Sequence, residues 1–198
     1  MRNLELKKNL RLLAILFVSA LAFNACSDDD HDDHDHDDHD DHDHEEINRM
    51  IYTLTNSENA SDLVIMTFDD PDGELGEDGT TTVVGTLSAN TTYAGAVQFL
   101  HVHEDGDIDD IGAMIAEDEA DEHEVFYSTS LVTVEKLDND ANGNPLGMVT
   151  TVTTGDAGTG PFTITLVHEA KKPNTGLEDA LSGEGTPDIE QSFEITVE

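Results

Sequence analysis

An all-β fold is predicted by three features of this chain. Short segments rich in Thr and Val recur from about residue 47 onward, turn-forming clusters of Gly, Asn and Asp separate them, and long helical periodicities are missing. The expected architecture is a single antiparallel β-sandwich or barrel of eight or nine strands, immunoglobulin-like, with one short helix, preceded by a disordered His/Asp-rich segment. A lone Cys and the absence of Trp exclude a disulfide-bonded immunoglobulin domain.

Residues 1–25 read as a processing signal. Arg2, Lys7, Lys8 and Arg11 give a basic start, and the apolar run 12–23 is too short to span a bilayer but has the layout of a secretory core. The run closes on Phe23-Asn24-Ala25-Cys26, which resembles a bacterial lipobox and marks Cys26 for lipidation. Acyl chains on Cys26 would hold the mature protein on a membrane without a spanning helix. Ser27-Asp28-Asp29-Asp30 is similar to the acidic signal that sends lipoproteins of Bacteroidetes-type bacteria to the outer face of the outer membrane.

Residues 26–46 follow as a separate unit. From Ser27 to Glu46 the chain holds one Ser, eleven Asp, six His and two Glu, with no apolar side chain to bury. Such a stretch cannot offset the entropy of folding, so disorder is expected. Its chemistry is that of a chelator. Imidazole nitrogens of His31, His34, His36, His39, His42 and His44 are good ligands for borderline divalent cations, and the interleaved Asp residues add hard oxygens. Zn²⁺ is the first expectation, with Cu²⁺ and Ni²⁺ behind it. A charged spacer of no further purpose is the plainer reading, but a spacer does not need imidazole.

Strands of the third unit, 47–198, are predicted at 47–54, 63–68, 80–87, 91–103, 125–129, 131–137, 148–154, 161–168 and 189–197. Hairpins are expected around 139–145 and around 155–160. Between residues 107 and 122, Ile108, Ile111 and Ile115 recur at i, i+3 and i+7, which predicts a short amphipathic helix.

Charge narrows the partners. Beyond Cys26, four basic residues (Arg49, Lys136, Lys171, Lys172) face 44 acidic ones, a net charge of −40. That field repels nucleic acid and attracts cations.

Within the folded unit, His101 and His103 alternate along a strand and share the face of Val97 and Phe99. They form a candidate bidentate metal arm, with His123 or His168 as a third ligand; ordinary edge histidines are the alternative. Asp138-Asn-Asp140-Ala-Asn142-Gly143 matches the opening of a calcium loop, but the Glu due eleven residues after Asp138 is replaced by Val149. A turn explains those residues better, and calcium is the weaker reading there, as it is at the acidic loop of Asp69, Asp70, Asp72 and Glu74. No nucleophile elbow, H-E-x-x-H or phosphate-cradling loop is present, so no enzymatic activity is expected.

The segments EEINRMIYTLT, VVGTLSANTTYAGAV, DANGNPLG, TTGDAGTGPFTITLVHEAKKPN and DIEQSFEITV make the chain similar to small lipoproteins of Bacteroidetes-type bacteria labelled type 1 periplasmic-binding-fold proteins. The resemblance implies a place beside a TonB-dependent outer-membrane receptor and a role in capturing a small nutrient. The His/Asp segment points to a metal as that nutrient. A periplasmic-binding fold would alternate strands with long helices; the β pattern of these residues sets the fold expectation instead.

Overall fold

Strand β4 (Thr92–Val102) is the spine of the molecule, and its alternation shows why the chain folds as a sandwich. Tyr93, Gly95, Val97 and Phe99 are buried, while Thr92, Ala94, Ala96 and Gln98 face outward. The computed structural model describes residues 46–71 and 79–198, all within the unit His42–Glu198. Cys26 and the six histidines of the 26–46 segment lie outside the described residues, as do Asp72 and Glu74 of the acidic loop.

Around β4 the chain builds a seven-stranded antiparallel sheet. Strands β1 (Arg49–Asn56), β2 (Leu63–Asp69) and β3 (Thr80–Val84) lie to one side, and β7 (Val132–Lys136) and β8 (Val149–Thr154) to the other, in the order β3-β2-β1-β4-β8-β7. The short β5 (Ile108–Asp110) adds to the end of β4. A second sheet of three antiparallel strands has the order β10-β9-β6, built from β6 (Glu124–Thr129), β9 (Gly158–His168) and β10 (Thr186–Val197). The predicted all-β sandwich is what the chain forms.

The two sheets meet through aromatic side chains. Tyr52 of β1 packs on Phe162 of β9 and Tyr127 of β6, with ring centroids 5.7 and 5.3 Å apart. Phe99, Phe193, Leu54, Ile164 and Leu166 fill the same core. Rings of this size each remove a large apolar area from water and dominate core energetics. One backbone bridge links the two halves at the end of β10: Leu87 N–H donates to Thr196 O at 2.9 Å and Glu198 N–H to Leu87 O at 2.8 Å. The C-terminal end of edge strand β10 is thereby tied to the 85–91 connection.

All nine predicted strands are present, but three expectations change. Residue 108 does not join the helix: Ile108 is 55% exposed on β5. Helix α1 (Ile111–Asp118) starts after Asp110, whose side chain caps Ala113 N–H, and buries Ile111 and Ile115. The 155–160 turn is not a hairpin. Both edges of β8 are already filled by β4 and β7, so the chain crosses at Gly155 to the other sheet, where β9 pairs with β10 and β6. A second helix, α2 (Leu177–Ala180), sits in the 169–185 connection, where Ala180 joins Phe126, Val167 and Ala170 in a small separate core. Four residues are too few to show a helical period in sequence. Among the described residues no helix is long and apolar enough to cross a membrane.

Candidate metal centre

One end of the three-stranded sheet collects two histidines and an aspartate. After α1, the chain turns through Ala120–Glu122, and His123 N–H returns to Glu119 O at 3.2 Å. His123 shares the inward parity of Val125 and Tyr127, and its side chain has no solvent exposure. His168 ends β9 on the parity of Phe162, Ile164 and Leu166. Asp188 sits at a register shift in β10, between Pro187 opposite Val167 and Ile189 opposite Leu166. Strict alternation would turn Asp188 outward with Glu190 and Glu194; the bulge turns it in, and its side chain is fully buried.

One ligand atom from each of His123, His168 and Asp188 lies within 4.8 Å of the other two. His123 Nε2 is 3.5 Å from Asp188 Oδ2, and His168 Nδ1 is 3.9 Å from Asp188 Oδ1. The Glu122 carboxylate approaches the other His168 nitrogen, Nε2, at 3.9 Å from a more exposed position. The imidazoles of His123 and His168 stack 4.6 Å apart.

Protonation states follow from the partners. His123 Nδ1 lies 3.1 Å from Glu119 O, and a carbonyl only accepts, so Nδ1 carries hydrogen and donates. In the neutral ring the Nε2 lone pair therefore faces a carboxylate oxygen, two acceptors in a dry setting. A proton or a cation between them removes the repulsion. Burial works against a charged His123, but the hydrogen bond to Asp188, the Glu119 carbonyl and the charges of Asp188 and Glu119 outweigh it and raise its pKa. The Nδ1–H to carbonyl bond is also the arrangement that orients a metal-ligating imidazole.

Zn²⁺ takes nitrogen and oxygen ligands at about 2.0–2.2 Å in a tetrahedron, which spaces the ligand atoms by roughly 3.3 Å. The 3.5 Å separation of His123 Nε2 and Asp188 Oδ2 is near that spacing. Stacked rings keep their lone pairs in parallel planes, so His168 must turn about its Cβ–Cγ bond to converge on the same ion. Its side chain is 14% exposed.

The structure distributes the sequence candidates differently from the expectation. His123 and His168 come together with each other and with Asp188, not with His101 and His103, and among the described residues no third ligand atom completes a group around that pair. His101 and His103 are adjacent, ring centroids 4.3 Å apart, at the end of β4. Asp188 was not a candidate, because only the bulge takes it off the outward face. The Asp138 and Asp140 carboxylates are already committed: Asp138 accepts from the backbone N–H of Gly147, Met148 and Val149, and Asp140 from Asn142, Asn144 and the Lys172 ammonium. A cation already sits where calcium would have to bind. Asp69 is paired with Arg49 at 2.8 Å.

Comparison with protein-family models, curated proteins and solved structures gave no match.

Proposed function

We propose that this chain is an outer-membrane lipoprotein, anchored through Cys26, that gathers divalent metal, zinc first, on its His/Asp-rich segment for uptake or buffering, beside a TonB-dependent transporter. In this reading the folded unit holds an ion at His123, His168 and Asp188. The observation that carries it is the buried His123 Nε2 held 3.5 Å from the Asp188 carboxylate, with His168 stacked against the ring. The acidic field of the mature chain favours the same cargo.

The test is zinc binding by the mature chain, read by metal retained after dialysis and by thermal unfolding. At a free Zn²⁺ concentration a hundred times Kd, the ion should stabilise the folded state by about 2.7 kcal/mol. His168→Ala should remove that gain while segment histidines still bind. No retained metal and no shift in Tm would overturn the reading.

A second reading is a small-ligand-binding surface module in which the segment is only a charged spacer. It is favoured by a pocket of about 320 Å³ beneath the 169–185 connection, bounded by Phe126, Tyr127, Pro173 and Asn174, with the Lys136–Glu124 ion pair in its wall. Replacing every segment histidine by Ser would leave the function of such a module unchanged.

A further inference from the structure

The outer face of the seven-stranded sheet differs in chemistry from the rest of the described surface. Alternation sends every second residue of its strands outward, and the register joins Val84, Ile65, Thr53, Ala96 and Val149 into one row across the sheet. Leu137, whose N–H donates to Val149 O at 2.8 Å, extends that row beyond β7. The flanking rows over β2, β1 and β4 hold only Thr, Ile, Leu, Ala and Gln.

This face carries almost no charge. Among the described outward positions of its strands, Arg49 and Asp69 pair with each other at 2.8 Å at one corner, and Glu135 stands on the rim strand β7. Elsewhere the surface is acidic: Glu190 and Glu194 are exposed on the outer face of the three-stranded sheet, and residues 104–110 carry five carboxylates. Apolar exposure concentrates where charge is missing. Of the six exposed large apolar side chains among the described residues, Leu63, Val84, Leu137 and Val149 lie on this one face. Contiguous exposed apolar surface of this extent marks an interaction site.

Charge and area select the occupant. A cationic partner would be drawn to the acidic faces, not to this one. A second copy of the chain, with the same net charge of −40, is repelled by the acidic faces and meets the least repulsion here. A flat face of small Thr, Ala and Val side chains is complementary to itself, and two such sheets can pack about 10 Å apart. Six strands about 4.8 Å apart and three rows about 7 Å apart cover roughly 600 Å² on each copy, or about 1,200 Å² in total, the lower end of what a specific interface needs.

We propose that two copies of this chain associate through the outer faces of their seven-stranded sheets, in a two-fold contact centred on Ala96. The contact does not rest on the metal reading.

The experiment is sedimentation velocity of the mature chain from about 1 to 200 µM, in EDTA so that no metal bridges the copies. Expected is a reversible dimer with a Kd on the order of micromolar, which tightens as NaCl screens the repulsion between the copies. Ala96→Lys should raise Kd at least about tenfold although it lowers the net negative charge, whereas Ser192→Lys on the other sheet should leave Kd unchanged or lower it. In the parent chain, dilution should move the methyl resonances of Ala96 and Val149 and leave that of Thr163 in place, a readout that needs no variant. A chain that stays monomeric throughout, a dimer that Ala96→Lys leaves intact, or dilution shifts that spare Ala96 and Val149 would each overturn the contact.

Discussion

The imidazole of His123 lies flat on that of His168, 4.6 Å between centroids and 4° from parallel. Burial opposes a charge on His123, but the Asp188 carboxylate and the Glu119 carbonyl outweigh it and raise its pKa, which favours a proton on that ring. A metal entering the site has to displace that proton. Zn²⁺ uptake should therefore release protons near neutral pH, and affinity should weaken as pH falls from 7.5 to 5.5. Calorimetry in two buffers of different ionisation enthalpy measures the released protons. Uptake independent of the buffer would show that these rings are not the ligands.

Gly95 is required by a close approach in the core. A Cβ there would stand 2.5 Å from the Tyr52 hydroxyl and collide with Thr150 Oγ1. Those two hydroxyls share a hydrogen bond of 2.7 Å between β1 and β8, across the face of β4. Gly95→Ala should cost about 1–3 kcal/mol through overpacking. Tyr52→Phe should cost about 1–3 kcal/mol by leaving the Thr150 hydroxyl buried and unsatisfied, and adding Thr150→Val should recover part of that loss. Urea unfolding of the three variants checks the order; a Tyr52→Phe protein as stable as the parent would show that the bond contributes nothing.

The sandwich was legible because its strands alternate cleanly. Tyr93, Val97 and Phe99, and likewise Phe162, Ile164 and Leu166, announce buried faces at a spacing of two. What sequence could not show was which edges were free. The turn after Thr154 looks like a hairpin turn, and only the filled edges of β8 send the chain to the other sheet. The grouping of His123 and His168 with Asp188 was hidden for a related reason: both histidines are candidates in the sequence, but pairing between β6 and β9 is a long-range fact. Asp188 depends on a bulge that no local signal marks.

Two lysine ion pairs of similar geometry should differ in what they contribute. Lys136 Nζ meets Glu124 Oε1 at 2.5 Å with side chains 19% and 4% exposed, and lies 4.0 Å from the centre of the Phe126 ring. Lys171 meets Asp179 at the same distance, but its side chain is 51% exposed. Lys136→Met strands a buried carboxylate with Asn174 as its remaining donor and should cost about 3 kcal/mol or more. Lys171→Met should cost less than about 1 kcal/mol. The double variant Lys136→Met/Glu124→Leu should regain most of the loss. Equal effects of the two single variants in denaturant titrations would mean that water reaches Glu124 freely.

Asp140 sets an acid limit on the hairpin between β7 and β8. Its buried carboxylate accepts from Asn142 N–H at 2.9 Å, Asn144 N–H at 2.8 Å and Asn144 Nδ2 at 3.0 Å, with the Lys172 ammonium at 3.4 Å. Burial pushes its pKa up, but these donors and the lysine charge outweigh it and hold it below the ordinary 3.8. The unfolded chain therefore takes up the proton first as pH falls, and the stability that Asp140 contributes is complete above about pH 4–5 and lost as pH drops through the folded value. The gap in unfolding free energy between the parent and Asp140→Ala should stay constant from pH 7 to about 5 and shrink below 4. Millimolar Ca²⁺ should leave the gap unchanged at pH 7, because Lys172 and three N–H donors already satisfy the carboxylate. A gap that widens with calcium would show instead that the ion displaces Lys172.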